Sequence, residues 1–378
     1  MVNRVLTEKI IKDLKPGHVT VLYGARRTGK TVLMNFLKEK LSHKKILLLH
    51  GEDLDVVTAL SSSRQDILKN LVSGYDFLFL DEALGIPGVG RNLKLLVDTQ
   101  PKTGVFVTGS ASFELRNQIG EPLVGRSRIF HLFPYLLSEV TQGYMDAYSR
   151  LPQTLVFGLY PQVIGENTSN SKREILENIR NGYLLKDVLA LDNLKDSVFI
   201  LNLLKYLAFQ IGNDVSMNEI ANSLGTTVKT VQRYLDILEK AFVIFKIQGF
   251  SRNLRKEISK APRFYFWDNG IRNVVISNTN PLESRDDVGK LWENFCISER
   301  IKIQNYKRTW SNFFFWRTYD QQEIDLLEEH SGDLKAFEMK WKSKKVKVPK
   351  AFRDNYSDVP LYQINRENFY DFLNYRED

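Results

Sequence analysis

A chain of 378 residues is longer than one hydrophobic core commonly organises, so two or three domains are expected. With 43% hydrophobic and 26% charged residues it reads as globular rather than disordered, and no apolar run approaches the roughly 18 residues that a membrane span needs. The net charge of +8 favours an anionic partner, nucleic acid first, and a lone cysteine, Cys296, excludes an internal disulfide framework and a cysteine-built zinc site. No membrane role is expected, and a reducing cytoplasm is the simplest setting.

Residues 18–24, His-Val-Thr-Val-Leu-Tyr-Gly, read as a strand that runs straight into Gly24, Ala25, Arg26, Arg27, Thr28, Gly29, Lys30 and Thr31. An amphipathic helix begins just after, at Val32. This is the G-x-x-x-x-G-K-[ST] spacing in its strand–loop–helix setting. Glycines let backbone N–H groups turn inward around a phosphate, and the helix N-terminus adds its positive dipole end. Lys30 then reaches the β- and γ-phosphates of ATP, and Thr31 offers a hydroxyl to Mg²⁺.

Lys45 to Leu49 adds another apolar strand, and Tyr75 to Leu80 a third, ending in Asp81 and Glu82. An Asp at a strand tip suits a metal's coordination shell, and the acid after it suits polarising an attacking water. The strand Gly104 to Ser110 ends in small polar residues, where open α/β sheets place ligand contacts, so Ser110 is a candidate for the γ-phosphate or the water. Strands alternating with helices imply a doubly wound parallel sheet over residues 1–150.

Residues 151–285 read as a helical domain. Met217 to Leu224, a turn at Gly225-Thr226-Thr227, and Val228 to Leu238 form a helix-turn-helix pattern. A hairpin-like stretch from Phe242 to Phe250 and a strand at Phe264 to Trp267 complete what looks like a winged helix. In a DNA reader Lys229, Thr230, Gln232 and Arg233 would face the groove, with Arg252, Arg255 and Lys256 on phosphates. A packing module that touches no DNA is the other reading of the same pattern.

From residue 286 the pattern changes again. Gly289 to Ile301 is an amphipathic helix, followed by strands at Phe313 to Arg317, Glu323 to Leu327 and Leu334 to Trp341, a helix at 349–356 and a strand at Pro360 to Ile364. This order resembles the restriction-endonuclease (PD-(D/E)xK) core. Asp325 and Glu338-Met339-Lys340 match its D…E-x-K pattern, with Glu293 as the additional acid. Glu338 and Lys340 share a strand face because side chains alternate with period two. Asp325 and Glu338 would hold Mg²⁺ against a scissile phosphate while Lys340 meets developing charge. The lysines at 342, 344, 345, 347 and 350 form either a phosphate-tracking ridge or a solvated loop. Cys296, beside Trp292 and Phe295, reads as core.

Taken together, GARRTGKT, FLFLDEA, VTGSAS, LVGRSRIFHLFPYLLSEV and FGLYPQV resemble the prokaryotic AAA+-like ATPases that carry a C-terminal nuclease-like domain of unknown function. The resemblance covers nearly the whole chain and is carried by the order of its motifs. It implies Asp81 on Mg²⁺, Glu82 as the water-activating acid, Ser110 in the sensor position and Arg126 as a charge-stabilising arginine, with a homo-oligomer if that arginine acts in trans. Three functions compete. One is an ATP-driven enzyme acting on DNA, with a Mg²⁺-dependent nuclease site. The second is an ATP-driven switch or scaffold whose nuclease-like domain is silent and binds a protein. The third is a transcription regulator working through the winged helix.

Overall fold

The computed structural model describes residues 2–110, 123, 125–187, 196–251, 261–318, 320–343 and 347–374. They fall into two compact units, Met1–Phe133 with Lys240–Phe242, and Pro134–Glu239 with Val243–Asp378.

The first unit opens with α1 (Leu6–Asp13), β1 (Val19–Gly24), α2 (Lys30–Lys40) and β2 (Ile46–His50). Next come α3 (Leu54–Ser61), α4 (Gln65–Val72), β3 (Phe77–Asp81), α5 (Val89–Thr99), β4 (Gly104–Ser110) and β5 (Ser127–His131). The five strands form one parallel sheet in the order β2-β3-β4-β1-β5. β1, β3 and β4 are buried at every position, which is why they appear in sequence as unbroken apolar runs rather than alternating ones. Helix side chains Leu60, Leu68, Val72, Leu93 and Leu96 cover one sheet face, packing on Val21, Leu78, Leu80 and Val107. β5 was not expected. Of Ser127, Arg128, Ile129, Phe130 and His131 only Phe130 is buried, so the strand exists through its pairing with β1 and not through its own pattern. β4 stands between β1 and β3, so the carboxyl ends of all three meet at one edge.

The second unit begins with helices α6 (Leu137–Val140), α7 (Gly143–Phe157), α8 (Pro161–Ile164) and α9 (Ser169–Ile179), and a π-helical stretch at Arg180–Asp187. α10 (Ser197–Phe209), α11 (Met217–Ser223) and α12 (Val228–Lys240) follow. Ser216 caps α11 by accepting from Glu219 N at 3.3 Å, and α12 buries Val231, Leu235 and Leu238, the stripe read from sequence. Then come β6 (Ile244–Gly249), β7 (Arg263–Phe266), α13 (Asn269–Val275) and α14 (Val288–Lys307). β8 (Asn312–Arg317), β9 (Glu323–His330), β10 (Asp333–Met339), α15 (Lys350–Asn355), β11 (Leu361–Ile364) and α16 (Phe369–Leu373) complete the unit.

One expectation is corrected here. The stretch from Phe242 to Phe250 is no hairpin: it holds a single strand, β6, which pairs antiparallel with β7 and parallel with β8. Gln248 and Gly249 pair with Phe314 and Phe315, so β6 and β7 join β8 to β11 in one six-stranded sheet, β11-β10-β9-β8-β6-β7.

α13 is buried along its whole length although it carries Asn269, Arg272 and Asn273. Each finds a backbone partner. Asn273 donates to Leu155 O and Val156 O at 3.0 and 2.8 Å, Asn269 to Leu291 O at 3.0 Å, and Arg272 to Ala208 O at 2.7 Å. Asp268, just before the helix, accepts from Leu159 N at 2.7 Å. Gly158 has φ +71°, and a Cβ there would lie 2.0 Å from Asp268 Oδ1. The FGLYPQV motif is therefore a docking point for this polar knot within its own unit.

Candidate functional site

The P-loop joins β1 to α2. Gly29, at φ +95°, takes a left-handed conformation that starts the helix at Lys30. Thr28 Oγ1 donates to Ala25 O at 2.8 Å and ties the loop to itself. Lys30 is buried and folds back along the loop, with Nζ donating to Gly24 O and Ala25 O, both at 3.1 Å. Burial lowers its pKa, while Glu82 and then Asp81 pull it back up. An ammonium held this way, on carbonyls it can exchange for phosphate oxygens, is suited to an anionic ligand.

At the tip of β3, Asp81 sits between two hydroxyls. Thr31 Oγ1 donates to its Oδ2 at 2.8 Å, and Thr108 Oγ1 donates to Oδ1. A hydroxyl beside a carboxylate is an all-oxygen pair, and it fits Mg²⁺, which takes the rest of its shell from water and phosphate. Glu82 has φ +47°, which turns its side chain back over the sheet edge. Its Oε2 accepts from Ser110 N at 3.2 Å and from Ser110 Oγ at 3.3 Å, and its Oε1 lies 3.9 Å from Lys30 Nζ. Lys30, Thr31, Asp81, Glu82 and Ser110 are thus brought together as the sequence suggested.

Two residues were missed. Thr108 holds both the Asp81 carboxylate and Glu82 N, the latter at 3.1 Å. It lies two residues before Ser110 and so shares its face, a signal the sequence already carried. His50, at the end of β2, places Nδ1 3.9 Å from Asp81 Oδ2. Arg126 lies apart from this cluster in its own chain. Its carbonyl accepts from Val19 N, at the start of β1, while the P-loop begins at that strand's other end. Five residues of extended chain, on the order of 15 Å, separate it from the P-loop of its own chain. Arg126 instead pairs with Asp98 at 3.3 Å, and Arg128 with Asp13 at 3.6 Å, both on exposed surface.

In the second unit Asp325 on β9 and Glu338 on the neighbouring β10 face each other. Met339 N donates to Asp325 Oδ2 at 2.8 Å, and Asp325 N to Glu338 Oε2 at 3.4 Å. Lys340 Nζ lies 2.7 Å from Glu338 Oε1 and 3.6 Å from Asp325 Oδ2. Burial and the Asp325 charge push Glu338 up to about 7, and burial also raises Asp325 against the pull of Lys340. Glu293, on α14, accepts from Tyr265 Oη at 2.8 Å, and burial with Asp325 nearby pushes it up to about 8. Behind them Arg263, fully buried and stacked on Phe315, pairs with Asp214 at 3.0 Å and Glu323 at 2.8 Å. Tyr265 and Arg263 had no signal in sequence, because they come from the segment read as a wing. Among the described residues no three His, Cys, Asp or Glu side chains are arranged to hold a metal ion. The carboxylates of Asp325 and Glu338 still fit one hard cation, since they are all-oxygen donors on neighbouring strands and a positive charge between them would offset their burial and the Asp325 charge that raises Glu338.

Glu293 holds its proton more tightly in the folded chain than in the unfolded one. Between about pH 5 and pH 8 the folded state therefore binds more protons, and its stability falls as pH rises, by up to about 1.4 kcal/mol per pH unit for this group. Glu293→Gln should flatten the pH dependence of the melting temperature over that window and raise it most at pH 8. A variant as pH-sensitive as the parent would show that this carboxyl is not held protonated.

Lys229, Gln232 and Arg233 are exposed on α12, and Thr230 is half-buried. Arg252, Arg255, Lys256, Lys344 and Lys345 lie outside the described residues, while Lys342, Lys347 and Lys350 are exposed. Cys296 is fully buried, as core.

Residues 16–141 match the family described as AAA domain, so this stretch, with its P-loop, is an AAA-type domain. Residues 148–282 and 288–372 match two domains of unknown function, DUF8612 and DUF4143. An uncharacterized protein of Mycobacterium tuberculosis is 26% identical over 364 residues, covering 94% of this chain and 77% of the relative. One from Haemophilus influenzae is 23% identical, covering 93% and 90%, and one from Methanocaldococcus jannaschii is 24% identical, covering 96% and 84%. These relatives, from two bacteria and an archaeon, are similar to this chain over nearly its whole length. Among solved structures it is similar to AMPPCP-bound DnaA from Aquifex aeolicus, at 14% identity and a TM-score of 0.29 over 62% of this chain and 86% of that one. The ADP complex of the FIGL-1 AAA domain gives 14% identity and 0.25 over 62% and 77%. Neither likeness is close enough to define this chain's geometry. Among the described residues no helix is long and apolar enough to cross a membrane.

Proposed function

We propose that this chain binds and hydrolyses ATP at the carboxyl edge of its parallel sheet and uses the turnover to act on DNA. The observation that carries the ATPase reading is the convergence of Lys30, Thr31, Asp81, Glu82 and Ser110 from three adjacent strand ends. Backbone N–H groups from Gly24 to Thr31 and the start of α2 cradle the phosphates, and Lys30 moves from the Gly24 and Ala25 carbonyls to the β- and γ-oxygens. Thr31 and Asp81 would hold Mg²⁺, which would supply neutralisation of phosphate charge. Glu82 orients and deprotonates the attacking water, and Ser110 contacts the γ-phosphate or that water. The test is nucleotide titration and turnover in Mg²⁺: Lys30→Ala should lose binding and turnover together. A parent chain without turnover would overturn the reading.

The DNA reading draws support from the juxtaposition of Lys340 with Glu338 and Asp325, the donor set of a Mg²⁺-dependent phosphodiesterase. In it Asp325 and Glu338 hold the cation, Lys340 meets developing charge, and Glu293 backs the site. α11, its turn and α12, followed by the β6–β7 pair, have the order of a winged helix, with Lys229, Gln232 and Arg233 exposed on α12 where a groove would lie. A silent, protein-binding second unit is the competing reading. It is favoured by the tight Lys340–Glu338 pair, which leaves the acids already neutralised.

A further inference from the structure

Beside the Asp325–Glu338–Lys340 cluster lies a set of aromatic and basic side chains with no part in it. β10 and β11 are parallel neighbours, so both strands end at the same sheet edge, where Lys340 N donates to Ile364 O at 2.9 Å. Just past those ends, the Arg366 guanidinium lies over the Trp341 ring at 4.7 Å, and Trp341 meets Trp292 edge to face at 5.4 Å. Arg366 Nε is buried and has no hydrogen-bond partner among the described residues. The Arg366 carbonyl accepts from Tyr144 Oη at 3.3 Å. Tyr144 in turn lies 5.8 Å from Tyr148, one turn further along α7, and 6.1 Å from Tyr370. Tyr148 is 39% exposed and its neighbour Met145 75% exposed, while Lys342 stands in solvent next to Trp341.

We propose that this strip, from Lys340 through Trp341 and Arg366 to Tyr144 and Tyr148, is a track for single-stranded nucleic acid leading to or from the acid–lysine site. The proposal rests on reading DNA as the substrate of that site. An isolated apolar patch would suit many partners, but this one alternates π faces with cations. Single strands are bound this way: bases stack on rings and phosphates meet guanidinium and ammonium groups, whereas a duplex keeps its base faces covered. Trp341 fixes the plane of Arg366 and so keeps its fork of N–H donors ordered for a phosphate. Tyr144 anchors the turn that carries Arg366, and Tyr148 offers an open ring for the adjoining base.

The test is fluorescence anisotropy with a labelled 20-nucleotide oligothymidylate, a 20-base-pair duplex and polyglutamate. It is done on the full chain in EDTA without ATP, over a range of salt. The parent should prefer the single strand to the duplex. Tyr148→Ala should weaken single-strand binding about tenfold with the salt slope unchanged, because stacking releases no counterions. Arg366→Ala should weaken it and reduce the slope by about one, and Arg366→Lys should restore the slope. Melting curves check that each variant folds, and exposed Tyr148 keeps the test open if Arg366→Ala does not. Variants that bind like the parent, or a duplex bound as tightly, would overturn the track. So would polyglutamate bound as tightly as the oligonucleotide, which would point to an acidic protein partner. Failure of the cleavage reading looks different: binding persists and depends on Tyr148 and Arg366, but no DNA is cut in Mg²⁺.

Discussion

Glu82→Gln is expected to leave ATP bound while slowing its hydrolysis by ~10²–10³-fold. The amide has the shape of the carboxylate and can keep the place beside Ser110, where Glu82 Oε2 now accepts from Ser110 N and Oγ. It cannot take a proton from water. Asp81 is untouched, and Thr31 and Thr108 still hold its two oxygens, so the metal-binding pair survives. The result sought is a normal nucleotide affinity with little phosphate release, measured on one preparation. Turnover at the parent rate would remove Glu82 from the mechanism. It would leave Asp81 or His50, which reaches toward Asp81 from β2, as the nearest remaining base.

Asp325→Asn and Lys340→Ala are each expected to lower Mg²⁺-dependent DNA cleavage by ~10³-fold, as losses of a metal ligand and of a charge-stabilising group. Asp325 is also the charge that, after burial, does most to raise Glu338. Its replacement makes Glu338 easier to ionise but removes one of the two carboxylate ligands, so weaker Mg²⁺ binding together with lost cleavage is the expected signature. Lys340→Ala removes the ammonium 2.7 Å from Glu338 and leaves the two acids with the Arg263 guanidinium behind them as compensating charge. Cation binding should then tighten while cleavage is lost. A parent chain that leaves single-stranded, duplex and branched DNA intact in Mg²⁺ would remove the nuclease reading and favour the protein-binding one.

How much could be read before folding differs between the two units, for a physical reason. In the first, Asp81, Glu82 and Ser110 stand at the ends of strands whose burial is total, and total burial writes itself into sequence as an apolar run with an abrupt polar stop. Asp81, Glu82 and Ser110 stood out for that reason. β5 did not, since an edge strand with one buried side chain has no pattern to show. Arg126 stands at the other end of β1 from the P-loop, and a short distance along the chain does not say which end of a parallel sheet a residue reaches. In the second unit the period of two placed Glu338 and Lys340 on one face, and pairing of β9 with β10 brought Asp325 to them. The partners of Glu293 were hidden, because Tyr265 and Arg263 arrive through the joining of β7 and β6 to β8, a pairing made by backbone groups that every residue carries.

The sequence by itself determined the phosphate-binding loop, its acids and the D…E-x-K face, because loop spacing and strand alternation are local and need only neighbours along the chain. The fold is needed to see that β6 and β7, from the segment read as a wing, join β8 to β11 in one sheet. It alone ran the aromatic and basic strip beside Lys340, drawing on α7, β10 and the turn after β11. Those contacts join positions up to 222 residues apart, and nothing in local periodicity reports which distant surfaces will meet.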